Sequence, residues 1–195
     1  YTGLTTVSTG TLTLGAAGNG TNSPLGTDAT GTTVSTGAVL NVNGFTLLTA
    51  EPLTLNGTGI AAAGALINGS LTLSADYSGL ISLGSASSIV ATTAARSLNI
   101  TNTGTITGSG FGFTLGGAGN GTMASIIGTG TGTLTKIGAG TWTLSSANIF
   151  SGGAALTAGV LNINHAQALG TVAGTFTIAT GTINNTSGSN ITTLN

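Results

Sequence analysis

Three carboxylates, two basic side chains and one imidazole make up nearly all the titratable chemistry of this 195-residue chain: Asp28, Glu51, Asp76, Arg96, Lys136 and His165. Glu51 follows Asp28 by 23 residues and Asp76 follows Glu51 by 25. In a chain that winds in coils of similar length, that spacing could stack the three acids. Glycoside cleavage needs two carboxyl groups flanking one bond, and a lyase-type site adds calcium ligands and a basic residue. The expected reading is instead of isolated surface acids beside turns, with Pro52 and Tyr77 as corner residues. His165 sits in "NINHAQALG" with no acid near it in sequence, so neither a Ser–His–Asp arrangement nor a metal set can be built on it. It reads as a loop residue. "GSGFGF" from Gly108 and "GTGTGT" from Gly128 lack the following helix, the lysine and the distant acid of a nucleotide-binding loop. "AGNGT", at residues 17–21 and 118–122, reads as a corner turn in both places. No aspartate recurs at the period of a calcium-binding solenoid, and Lys136 has no evident partners for an isopeptide bond. Asn-x-Ser/Thr triplets at Asn56, Asn68, Asn99 and Asn190 follow from composition. No catalytic residue, cofactor-binding residue or metal ligand is assigned, no cofactor is called for, and the chain is not expected to be an enzyme.

The elements that would hold any site are unusual in composition. Charged residues are 3% of the chain, against about 25% in ordinary domains. The hydrophobic fraction is 39% and the net charge −1, which is the reverse of the disorder signature. Two basic residues cannot neutralise a nucleic-acid backbone or hold an anionic bilayer. No run of about eighteen apolar residues exists to cross a membrane as a helix. Cysteine is absent, so neither disulfides nor thiolate metal sites hold the fold.

A short unit, Gly-x-aliphatic-x-aliphatic, recurs as "GTLTL" (Gly10), "GSLTL" (Gly69), "GTLTK" (Gly132), "GTWTL" (Gly140), "GVLNI" (Gly159) and "GTFTI" (Gly174), with looser copies at Gly104 and Gly181. Alternation at period two gives each strand one buried and one exposed face; glycine and asparagine between strands supply positive-φ corners. A long unit lies over this one. "YTGLTTVSTGTLTL" (residues 1–14) aligns without a gap with "FSGGAALTAGVLNI" (residues 150–163). After a deletion of about five residues, "PLG" ending at Gly26 matches "ALG" ending at Gly170, and residues 33–41 match residues 177–185. The chain reads as about one and a third copies of a unit roughly 145 residues long, residues 1–149 being the first copy and 150–195 the start of a second. The predicted fold is all-β: one right-handed parallel β-solenoid of about eight to ten coils, a rod about 40 to 50 Å long at ~4.8 Å per strand. Phe45, Phe111, Phe113 and Trp142 are expected as larger fillers or face residues. An antiparallel sandwich is the competing architecture.

Residues 132–163 resemble the passenger-associated β-strand repeat of bacterial autotransporters. The match rests on Leu134, Lys136, Gly138, Gly140, Trp142, Leu144, Ser145, Ala147, Asn148, Phe150, Gly152, Gly153, Gly159, Leu161 and Ile163, with Phe150 where tyrosine is commoner. The resemblance implies secretion to the outer surface of a Gram-negative-type bacterium and a right-handed β-helical stalk; it brings no catalytic residues. An export signal is expected upstream of Tyr1, and the translocating β-barrel of such proteins is not in this sequence.

The function expected is a structural extracellular stalk or fibre segment. Its partners would be other copies of itself, head to tail or side by side, or adjoining repeats of a longer chain, because neither end reads as capped; the tail "GSNITTLN" carries no charge and no proline. The alternative is an adhesin or binding module whose flat Thr/Asn face meets a glycan, a surface or ice. Nucleic acid and membrane insertion of this segment are excluded as partners.

Overall fold

Period-two alternation becomes strands of a few residues whose alternate side chains are buried, as in Leu134-Thr135-Lys136 and Thr141-Trp142-Thr143-Leu144. The computed structural model describes residues 1–193, so the last two residues of the uncharged tail lie outside the described residues. It is a parallel β-solenoid of about eight turns, at the lower end of the expected coil count. The first three coils carry β1 (Thr5–Val7) and β2 (Gly10–Thr13); β3 (Thr32–Val34), β4 (Ala38–Asn41) and β5 (Thr46–Leu47); and β6 (Leu53–Gly57), β7 (Leu66–Asn68) and β8 (Ala75–Tyr77). The fourth and fifth carry β9 (Ile81–Ala91), β10 (Ser97–Ile100) and β11 (Thr105–Ile106), then β12 (Phe113–Gly116), β13 (Asn120–Met123) and β14 (Ile126–Ile127). The last three carry the pairs β15 (Leu134–Lys136) and β16 (Thr141–Leu144), β17 (Ala154–Leu156) and β18 (Val160–Ile163), and β19 (Phe176–Ile178) and β20 (Thr182–Asn185).

Register traces three walls along the rod. The first runs Thr5, Thr32, Leu53, Ile81, and then through the bridge of Ser82 with Thr107 to Ile106 and Ile127. The second runs Leu12, Leu40, Leu66, Ile89, Leu115, Lys136, Leu156, Ile178. The third runs Leu47, Tyr77, Ile100, Met123, Leu144, Ile163, Asn185. β9 spans two walls: its start lies against β6 and its end against β7. The inward aliphatic columns fill the lumen, with Trp142, Tyr77, Phe113 and Phe150 as the bulky fillers. Phe45 and Phe111 pack against that core half-buried. One antiparallel bridge, Ser23 with Gly26, occurs among the described residues; every strand pairing is parallel, which excludes the sandwich.

Two short motifs do not form what their pattern predicts. "GSLTL" from Gly69 is a bend, with Leu71 78% and Leu73 54% exposed. Asn68 and Ser70 turn the chain outward there. The Asn68 carboxamide accepts from the Ser70 N–H and donates to Leu73 O and Ser97 O, while Ser70 Oγ accepts from the Thr72 and Leu73 N–H groups. Local side-chain bonds to the backbone outcompete the ladder. Of the two "AGNGT" segments, the first lies in a loop, whereas Asn120, Gly121 and Thr122 of the second belong to β13.

Candidate functional site

The acids do not gather. Asp76 projects outward on the third wall, where it accepts from Thr46 Oγ1 at 3.1 Å and from Asn99 Nδ2 at 2.8 Å. Glu51 is no surface acid: its side chain is 2% exposed, with Oε1 accepting from Thr32 Oγ1 (2.6 Å) and Oε2 from Ser23 Oγ (3.0 Å). Burial pushes the Glu51 carboxyl up, against the two hydroxyl donors, and the charge of Asp28 pushes the same way. Asp76 stands on another wall. The sequence could not show the burial of Glu51, because Ser23 and Thr32 come from a loop and a strand of the preceding coil. A carboxylate closed off by hydroxyls has no room for a glycosidic bond. Its chemistry is to pin the 15–31 loop, whose Leu25 enters the core.

Tyr77, expected at a corner, is inside the lumen, and its hydroxyl donates to Glu51 O at 2.8 Å. Burial holds that phenol protonated well beyond its ordinary range. His165 stays in a turn: its Nδ1 accepts from the Gln167 N–H at 3.0 Å. Among the described residues no cluster of three metal-ligating side chains exists.

Lys136 is, among the described residues, the fully buried basic side chain. It interrupts the second wall's aliphatic column between Leu115 and Leu156, and its ammonium donates to Ile137 O (2.8 Å), Gly138 O (2.8 Å) and Ala158 O (3.1 Å). Burial lowers it to about 8, and three carbonyl acceptors are what compensate the ammonium. These carbonyls belong to a corner where glycines of successive coils pack backbone on backbone. A Cβ on Gly138 would lie 2.5 Å from Gly117 O, and one on Gly140 would lie 1.8 Å from Gly119 O.

The neighbouring motif residues are spent in the same way. Trp142 fills the space that Gly121 leaves open above it, and its Nε1 donates to Gly116 O at 3.1 Å. Asn148 Oδ1 accepts from the Ile127 N–H at 2.8 Å and Nδ2 donates to Ala168 O at 2.7 Å, so one side chain ties three coils. Phe150 lies buried under Gly170. The resemblance pointed to these residues; their inter-coil partners were invisible because each lies about twenty residues away.

The third wall presents an extended outward array. Thr46, Asp76, Asn99, Thr122, Thr143, Asn162 and Asn184 share a column in register. Bonds join them in part: Thr122 Oγ1 donates to Asn99 Oδ1 and Asn162 Nδ2 to Thr143 Oγ1. Beside it runs the column Ser97, Asn120, Thr141, Val160, Thr182.

Residues 134–163 match the family of the passenger-associated-transport-repeat. Neither the curated proteins nor the solved structures that were compared contain a match to the chain. The matched segment takes in Lys136, Trp142, Asn148 and Phe150, the side chains that tie and fill three successive coils.

Proposed function

We propose that this chain, a β-solenoid carrying a passenger-associated-transport repeat, is a structural segment of a secreted stalk displayed at a bacterial surface. The observation that supports this reading is how the repeat's residues are used. Lys136, Trp142, Asn148 and Phe150 all turn inward or bond to neighbouring coils. A motif built for chemistry would aim side chains at solvent or at a cleft. The tandem unit extends the reading: adjoining copies continue the stack, and residues 1–149 are its period.

The test is small-angle scattering from the chain alone and from the chain with a second copy of residues 1–149 ahead of it. A stalk keeps its cross-section and lengthens by roughly 30 Å per copy, at ~4.8 Å per coil. Two particles joined by a flexible link would defeat it. Labelling of intact cells with an antibody to the chain tests the location.

A second reading, a binding module, is favoured by the paired Thr/Asn columns of the third wall. Retention on a glycan array, or thermal hysteresis, abolished by Thr122→Val with Thr143→Val would establish it.

A further inference from the structure

Residues 1–14 and 150–163 align in sequence, and their coils make the same local contacts. The Thr27 N–H donates to Tyr1 O, as the Thr171 N–H donates to Phe150 O. A Cβ on Gly26 would meet the Tyr1 ring at 3.0 Å, as one on Gly170 would meet the Phe150 ring at 2.8 Å. Thr5 pairs with Thr32, as Ala154 pairs with Phe176. Gly10 and Gly159 turn with φ of 72° and 74°.

What differs is the underside. Phe150 is buried and Tyr1 is 69% exposed. A Cβ on Gly152 would strike Thr131 O at 2.1 Å, and one on Gly159 would strike Gly138 O at 2.4 Å; at Gly3 and Gly10 nothing lies within 4 Å. The coil beneath residues 150–163 is residues 130–149: Ser151 N–H donates to Gly130 O, Leu134 pairs with Ala154 and Thr141 with Val160. Lys136 reaches up from it to Ala158 O. Thr9 is the aligned counterpart of Ala158, and it lines an open cleft with Thr6, Val7, Ser8, Thr11 and Leu12.

The walls add a constraint. β1 stands on the first wall, whereas its aligned counterpart β17 stands on the second; likewise β2 stands on the second and β18 on the third. From β1 the first wall passes through β3, β6, β9, β11 and β14, and Asn148 continues it in the seventh coil, one wall before β17. The unit is thus six coils and one wall.

We propose that the underside of β1 and β2 is a docking surface for residues 130–149 of another copy, and that successive copies are rotated by one wall, a third of a turn. Lys136 of the copy below enters the Thr9 cleft, and Leu134, Lys136 and Trp142 lie under Thr5, Val7 and Leu12. Any exposed feature then recurs at three azimuths and returns to the first only after three units. The inference rests on the stalk reading and adds its register.

The experiment uses the full chain preceded by one copy of residues 1–149. The sequence contains no cysteine, so Leu71→Cys, on the exposed bend, gives one gold-labelling site per copy. In electron cryomicroscopy the two labels should stand a third of a turn apart about the axis and roughly 30 Å apart along it. Labels on one line along the rod would overturn the rotation. In the same protein, amide exchange at Thr5–Val7 of the downstream copy should slow about tenfold or more relative to the single chain. Gly3→Ala in that copy should abolish the slowing while leaving the single chain unchanged. Slowing that survives Gly3→Ala would overturn the register. Unslowed exchange there, with strands β12 to β18 still protected, would overturn the docking and leave the stalk reading standing; two separate particles would defeat both.

Discussion

The corner between the second and third walls is built in two ways along one rod. Toward the N-terminus the second-wall column advances by 28, 26, 23 and 26 residues per coil, and toward the C-terminus by 21, 20 and 22. In the long coils the corner is held by carboxamides. Asn41 Oδ1 accepts from the Asn43 and Gly69 N–H groups, and buried Asn68 bonds to Ser70, Leu73 and Ser97. In the short coils Gly117, Gly138, Gly159 and Gly181 turn the chain with positive φ, so close-packed that no Cβ fits. Parallel strand pairing continues through both halves, with a register shift between Leu55 and Gly57 where β6 meets β9. Strand pairing therefore sets the solenoid, and the corner chemistry sets only how much chain each turn uses. Backbone–backbone corners shorten the coil; side-chain corners leave room for loops.

The sharpest way to break this comparison is a methyl at each kind of corner. Gly140→Ala puts a Cβ 1.8 Å from the carbonyl oxygen of Gly119 in the corner of the stacked coil, and should cost about 4 kcal/mol or more in guanidinium unfolding. Gly69→Ala meets the Asn41 carboxamide at 2.7 Å, a side chain that can swing aside, and should cost about 1 kcal/mol. Equal losses would mean that the two corners do not differ in kind.

Buried asparagines should be less contrasted. Asn148→Ala strands the Ile127 N–H and Ala168 O, and Asn68→Ala strands Leu73 O and Ser97 O. Each should cost about 2–3 kcal/mol, measured as lost amide protection in the coils it joins. A loss confined to one half would show that polar ties matter in only one type of corner.

Opposite pH slopes should separate the halves further. Glu51 has a folded pKa raised from 4.5, so the folded state holds its proton more tightly. Stability around β3 and β6 is fullest below the unfolded value and falls as pH rises through the raised one. Lys136 is lowered from 10.5 to about 8, so the unfolded state holds the proton more tightly between those values. Stability around β15 and β17 should rise across that window. Exchange measured against pH reads both slopes, and Glu51→Gln and Lys136→Met should each flatten their own. Slopes of one sign in both halves would refute the assignment.

The smallest effect belongs to the outward ladder. Thr122→Val loses an exposed bond to Asn99 and should shift stability by no more than about 0.5 kcal/mol. A larger loss would make the ladder part of what holds the coils together.

Much of the architecture was legible in the residues themselves. Period-two alternation pointed to strands, glycine at their edges to corners, and a strand repeated with similar side chains to parallel stacking, with the antiparallel sandwich left for the strand pairing to exclude. The passenger-type motif in residues 134–163 marked the segment with the tightest coils. What the tertiary structure alone decided is where each exception points. Glu51 reads as a surface acid and is buried, because hydroxyls from the coil below meet it. "GSLTL" reads as a strand and is a bend, because Asn68 and Ser70 capture its backbone. Lys136 takes the second aliphatic position of "GTLTK", and its charge is held inside because three corner carbonyls converge on one point. The wall on which each strand falls is likewise a sum over all the coils before it. Local pattern fixes whether a residue is in a strand; which face it adds to depends on accumulated coil length, which no short stretch of sequence contains.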